Sequence, residues 1–168
     1  MSQILILRLI HILCGVFWAG TLMFFAVFLE PIMRGAGPEG GRMMQRIAGS
    51  KYPLAMTVLA ILTIGSGLWM YQIVSSGTPG WTHSHFGIVL TAGATSGLIA
   101  FLIGLTVTRP NAARMAELGK AVIAGGGQPT EGQLAQIASV RTRLVLSTRA
   151  VALFLGLAVA AMATARYA

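Results

Sequence analysis

Long apolar segments separated by short polar ones dominate the chain, and their lengths predict four membrane-spanning helices. Residues 9–29 contain no Asp, Glu, Lys or Arg, and neither do residues 52–108. Because a spanning helix needs about 20 mainly apolar residues, the first segment has room for one helix and the second for two. A run of turn-forming residues at 75–80 divides the second segment. The predicted spans are 4–29, 52–74, 82–108 and 144–165.

Charged residues and prolines mark the predicted ends of the spans. Glu30-Pro31 ends the first span and Arg109-Pro110 ends the third, since proline lacks the N–H that continues a helix. The chain then predicts a short amphipathic helix that ends at three consecutive glycines. A capping box at residues 130–133 starts a new helix, which continues into the fourth span.

Composition supports a single integral membrane domain, residues 1–168, built as an all-α four-transmembrane-helix bundle. The chain is 55% hydrophobic and 10% charged, whereas soluble domains average about 25% charged residues. The net charge of +8 does not indicate nucleic-acid binding, because the basic residues lie at the ends of apolar segments. The expected partner is the lipid bilayer. The first apolar segment is too long for a cleaved signal peptide, whose core has about 7–15 residues, and is expected to be retained.

The distribution of Lys and Arg predicts the orientation. Nine of the twelve basic residues lie in the loops 30–51 and 109–143, and basic loops stay on the cytoplasmic side. The chain is therefore expected in a bacterial cytoplasmic (inner) membrane with both termini in the periplasm.

All three histidines fall at the same end of the predicted bundle. His11 lies about seven residues inside the first span, whereas His83 and His85 open the third. Ionisable residues at membrane depth are costly and usually functional. A b-type haem needs an axial imidazole and an apolar slot, so His11 is the candidate iron ligand, with His83 or His85 as its partner or polar neighbour.

Two other interpretations of the same residues stay open. Copper(I) prefers thiolate, thioether and imidazole ligands, which Cys14, Met70 and Met162 provide together with His11 at this level. Alternatively, His11 forms a hydrogen bond between helices and the methionines fill gaps in the core.

Carboxylates are scarce, and no motif of a soluble enzyme is present. The four glutamates are all predicted at loop depth, which disfavours acid–base catalysis within the membrane. Arg149, near the start of the fourth span, either extends to the cytoplasmic surface or pairs with an acidic group such as Glu30 or a haem propionate. Gly93 and Gly97 form a step of small residues that favours close helix packing, either inside the bundle or against another subunit.

Several short motifs resemble known membrane proteins over residues 8–90, about half of the chain. His11, Trp18 and Gly20 resemble the first helix of the copper-resistance CopD-like proteins and of the bacterial membrane protoporphyrinogen IX oxidases. Residues 46–53 and 65–69 are similar to the second helix of the oxidase family, and residues 80–85 look like its Gly-Trp-x-His-x-Lys motif, with His85 in place of the lysine. The resemblance implies haem ligation by His11.

Three functions follow as hypotheses. The preferred one is a small membrane protein that binds haem b and has a redox or electron-transfer role near the periplasmic face; whether it is an enzyme stays open. The second is a non-catalytic accessory subunit that packs against other membrane protein subunits in a larger complex. The third is a copper carrier.

Overall fold

The computed structural model describes residues 2–77 and 79–167, and within them it contains helices and turns but no strand. Thr78, part of the predicted turn at 75–80, lies outside the described residues. Four helices are long and apolar enough to cross a membrane, which confirms the all-α four-helix bundle and indicates a multi-pass membrane protein. The helices are α1 (Gln3–Gly35), α2 (Gly37–Ala48), α3 (Tyr52–Ser76), α4 (His85–Ala124) and α5 (Glu131–Thr164).

Helices α1 and α4 run past the prolines that were predicted to end them. A π-helical turn precedes each proline: Phe25–Leu29 in α1 and Gly104–Thr108 in α4. In each turn, a backbone N–H donates to the carbonyl five residues earlier, from Glu30 to Phe25 and from Arg109 to Gly104. This wider ring accommodates the missing proline N–H and the bulk of the proline ring. The predicted ends at Glu30-Pro31 and Arg109-Pro110 are therefore wrong.

Helix α5 begins where the capping box predicted it. The Thr130 hydroxyl accepts a hydrogen bond from the Gln133 backbone N–H at 3.3 Å, and the Gln133 side chain accepts one from the Thr130 N–H at 2.9 Å. These bonds satisfy backbone donors that a helix start otherwise leaves free. The helix then continues without a break through the predicted fourth span to Thr164, where a short 3₁₀ turn (Ala165–Tyr167) follows.

The bundle consists of two closely packed helix pairs. Helix α1 packs along α3, and α4 packs along α5, with fewer contacts between the pairs. At the α4–α5 contact, a Cβ added to Gly93 would lie 3.0 Å from Ala161 Cβ and 3.3 Å from the Ala158 carbonyl oxygen. Gly93 and Gly97 are both buried, so this step of small residues packs inside the bundle. The looser contact between the pairs leaves space for the cavity described below.

The two ends of the bundle differ in structure. At one end, called the histidine end, lie the end of α3, the start of α4 and the 3₁₀ turn Trp81–His83. At the other, called the basic end, α2 packs on the second half of α4. Met33, Met44 and Met115 are almost completely buried there. Most of the two segments that were predicted as loops, 30–51 and 109–143, is thus helical. These segments contribute to a second hydrophobic cluster, which lies at the basic end.

Candidate functional site

His11 is held in a fixed orientation by the helix opposite it. Its Nδ1 lies 2.8 Å from the backbone carbonyl oxygen of Thr63 on α3. Because a carbonyl oxygen only accepts hydrogen bonds, Nδ1 carries the proton and donates it to Thr63. In the neutral imidazole, Nε2 is then the unprotonated nitrogen with a free lone pair. The buried Ser66 hydroxyl lies 3.5 Å from the same Nδ1, so His11 sits beside a small polar patch on α3.

The close approach of α1 to α3 depends on a glycine. A Cβ added at Gly67 would lie 2.7 Å from Cε1 of His11 and 3.0 Å from its Nδ1. No real Cβ fits at such a distance, so the imidazole occupies the place that a side chain at position 67 would take. Gly65, two residues earlier on the same helix, has open space beside its Cα. Gly67 is therefore part of the histidine site.

His11 lines a cavity of about 490 Å³ between the two helix pairs at the histidine end. All four long helices contribute to its walls, and most of the side chains that line it are aliphatic or aromatic. The volume lies within the range of about 300–1,000 Å³ that is typical of small-molecule and cofactor sites. Its mostly apolar walls and one fixed imidazole are typical of pockets that bind small molecules. We call this space the histidine-end cavity.

The other predicted ligands are distributed unevenly around this cavity. Met70 and Met162 line it. Cys14 is half-buried but does not line it, and the side chains of His83 and His85 are exposed outside it. Among residues 2–77 and 79–167, no group of three or more His, Cys, Asp or Glu side chains is arranged to hold a metal ion. The structure thus brings His11 together with two methionines and not with the other histidines.

Two arginines line the cavity as well, and the sequence reasoning did not identify them as part of a site. Arg8 lies one turn before His11 on α1, and Arg166 lies one turn after Met162 beyond the end of α5. The Arg166 guanidinium carbon is 5.0 Å from the centre of the Tyr167 ring. Their positions in the sequence could have identified them. They are two of the three basic residues outside the segments 30–51 and 109–143, and each flanks an apolar segment. They place positive charge at the end of the cavity between the start of α1 and the end of α5.

At the basic end, Arg149 and Glu30 form an ion pair. Arg149 Nη2 lies 2.6 Å from Glu30 Oε2, and Arg34 Nε lies 3.9 Å from the other carboxylate oxygen. Glu30 is only 3% exposed and belongs to the continuous helix α1, not to a loop. Of the two outcomes considered for Arg149, pairing with Glu30 is the one observed. The pair is remote from the histidines and joins α1 to α5.

Comparison of the chain with protein-family models, with curated proteins and with solved structures gave no match. The resemblance of residues 8–90 to CopD-like proteins and protoporphyrinogen IX oxidases therefore stays a prediction.

Proposed function

We propose that the histidine-end cavity binds a b-type haem through His11 and that the protein has a redox or electron-transfer role. The observation that carries this proposal is the hydrogen bond from His11 Nδ1 to the Thr63 carbonyl. Histidines that bind metals almost always donate their second ring N–H to a carbonyl, carboxylate or water, which fixes the ring and raises the basicity of the ligating nitrogen. His11 has this arrangement, with Nε2 free.

The other residues around the cavity fit the same ligand. Apolar walls exclude water from a porphyrin ring, and the thioethers of Met70 and Met162 are of the type that serves as the second ligand in His/Met haem proteins. Arg8 and Arg166 supply positive charge for its carboxylates. When bound, the haem supplies one-electron chemistry. Copper is supported less, because the only thiol, Cys14, does not line the cavity.

The proposal is tested by haem titration of the purified protein in detergent, followed by absorption spectroscopy. We expect a saturable Soret band at one haem per chain. His83→Ala and His85→Ala should keep the band because both side chains lie outside the cavity, whereas His11→Ala should abolish it and leave the helical content unchanged. A wild-type protein that binds no haem would contradict the proposal and favour the accessory-subunit alternative.

We also propose that the basic end faces the cytoplasm of a bacterial cell and that both chain termini face the periplasm. The support is the concentration of nine of the twelve basic residues in residues 30–51 and 109–143. In a Cys14→Ala background, the exposed residues Gln128 and Ser76 are replaced by cysteine, one variant each. A membrane-impermeant maleimide added to cells with a permeabilised outer membrane should label Ser76→Cys and not Gln128→Cys. The opposite pattern would reverse the orientation.

A further inference from the structure

A second, smaller cavity lies at the basic end, on the other side of the hydrophobic core from His11. Its volume is about 100 Å³, and residues from all five helices line it. This is below the range of about 300–1,000 Å³ that encloses a whole small molecule. The cavity therefore has room for one small ring or head group, and the rest of any larger ligand has to extend into the surrounding lipid. We call this space the basic-end cavity.

Two residues that line the basic-end cavity have hydroxyl groups that are buried without a hydrogen-bond partner among the residues that the structure describes. They are Tyr52 Oη, at the first residue of α3, and Thr108 Oγ1, at the last residue of the π-helical turn in α4. A buried polar group without a partner is costly and rare in folded proteins. Two such groups, from different helices and around one cavity, indicate a ligand that supplies the missing hydrogen bonds.

Two neighbouring threonines differ from Thr108, because their hydroxyl groups have hydrogen-bond partners within the protein. The Thr57 hydroxyl lines the same cavity but donates to the Pro53 carbonyl at 2.8 Å, and the Thr106 hydroxyl donates to the Leu102 carbonyl at 2.7 Å. At Thr108, the equivalent carbonyl is that of Gly104, which accepts from the Arg109 N–H in the π-helical turn. Unlike the hydroxyls of Thr57 and Thr106, the Thr108 hydroxyl makes no bond to this carbonyl and is available to a ligand.

The walls of the cavity define the class of ligand. They are mainly apolar, and the Phe25 ring lies stacked with the Tyr52 ring at a centroid distance of 6.3 Å and an interplanar angle of 21°. Among the described residues that line the cavity, Arg109 is the only charged one, and the two groups without a partner are neutral hydroxyls. A flat ring with uncharged carbonyl acceptors suits two hydroxyl donors and an aromatic wall.

We propose that the basic-end cavity binds the ring of a lipid-soluble quinone, with its carbonyl oxygens accepting hydrogen bonds from Tyr52 and Thr108 and its tail in the bilayer. This inference goes beyond the proposed haem site and does not depend on it. Trp18, only 4% exposed, lines both cavities. The Trp18 indole therefore borders both cavities, so quenching of the tryptophan fluorescence signals an occupant, and the hydroxyl variants below assign it to the basic-end cavity.

The test is a titration of the haem-free protein in detergent with decylubiquinone, followed by tryptophan fluorescence. We expect saturable quenching. Tyr52→Phe and Thr108→Val should each raise the dissociation constant about 2- to 10-fold, the value of one hydrogen bond, and the double variant should raise it further. Thr57→Val is the matched control: it removes a hydroxyl from the same cavity that already has a partner, so the dissociation constant should not change.

The outcomes distinguish the quinone from other occupants. Tyr52→Phe should not lower the melting temperature, since its hydroxyl has no protein partner, so weaker binding would not reflect unfolding. Non-saturable quenching, or equal effects of Thr57→Val and Thr108→Val, would overturn the proposal. Displacement of the quinone by phosphatidylglycerol at equal concentration would overturn it in favour of a phospholipid site. Because the protein carries no haem in this experiment, a failure of the haem proposal would not affect the result.

Discussion

Replacing Arg149 by glutamine is expected to lower the free energy of unfolding by about 2–4 kcal/mol. Removing one partner of a buried ion pair usually costs about 3–5 kcal/mol, because the other charge stays buried without compensation. Here Glu30 is buried, but the Arg149 side chain is 44% exposed, so a value below the upper limit is expected. Arg34 cannot replace Arg149, since it lies 3.9 Å from Glu30 and its side chain is 65% exposed.

The opposite substitution, Glu30→Gln, is the matched control and should cost clearly less. The Arg149 side chain is 44% exposed and long enough to extend toward the membrane surface without its partner, and the glutamine still fills the space between α1 and α5. Unfolding in mixed detergent micelles, followed by circular dichroism, measures both variants. The double variant Glu30→Gln/Arg149→Gln should recover part of the loss caused by Arg149→Gln, since no charge then stays buried. Equal losses for the two single variants would show that the burial of Glu30 does not determine the energetics of the pair.

The second large effect is expected at Gly67. An added methyl group at this position would lie 2.7 Å from Cε1 of His11, so the imidazole has to move and its 2.8 Å hydrogen bond to Thr63 is lost. Overpacking of this kind costs about 1–3 kcal/mol. Because the movement displaces the proposed iron ligand, we expect Gly67→Ala to weaken haem binding at least about tenfold, which corresponds to about 1.4 kcal/mol.

Gly65→Ala provides the control for this prediction. It makes the same chemical change on the same helix, but nothing lies within 4 Å of the added methyl group. Thermal unfolding and haem titration should give values for Gly65→Ala close to those of the wild type. If the two alanine variants behave alike in both measurements, then α1 and α3 do not approach each other as closely as described.

The sequence predicted the elements whose signals are local. The lengths of the apolar segments, the turn residues at 75–80 and the capping box of Thr130 and Gln133 are each read from neighbouring residues, and the structure confirms the four helices and the start of α5. The ends at Pro31 and Pro110 were wrong because a preceding π-helical turn lets a helix continue through proline. That turn depends on packing with other helices, which no local pattern reveals.

Only part of the candidate site was predicted, because the sequence gives the depth of a residue along its helix but not the direction of its side chain. The depth of a residue along a helix can be counted from the sequence, so the level of His11, Met70 and Met162 in the bundle was predictable. The direction in which a side chain points depends on the rotation of each helix in the bundle. Rotation places both methionines in the histidine-end cavity and leaves His83 and His85 outside it. It also brings Glu30 and Arg149, 119 residues apart, into contact.

Rescue of the His11→Gly variant by imidazole tests the central claim, that His11 is the haem ligand of the histidine-end cavity, most directly. Removing the side chain leaves space beside Gly67 and Thr63 for a free imidazole molecule. We predict that His11→Gly gives no Soret band with haem alone, and that millimolar imidazole restores a band at the wild-type wavelength. Restoration should fail in the Gly67→Leu/His11→Gly double variant, in which a leucine side chain fills that space. A wild-type Soret band in His11→Gly without imidazole would contradict the assignment of His11.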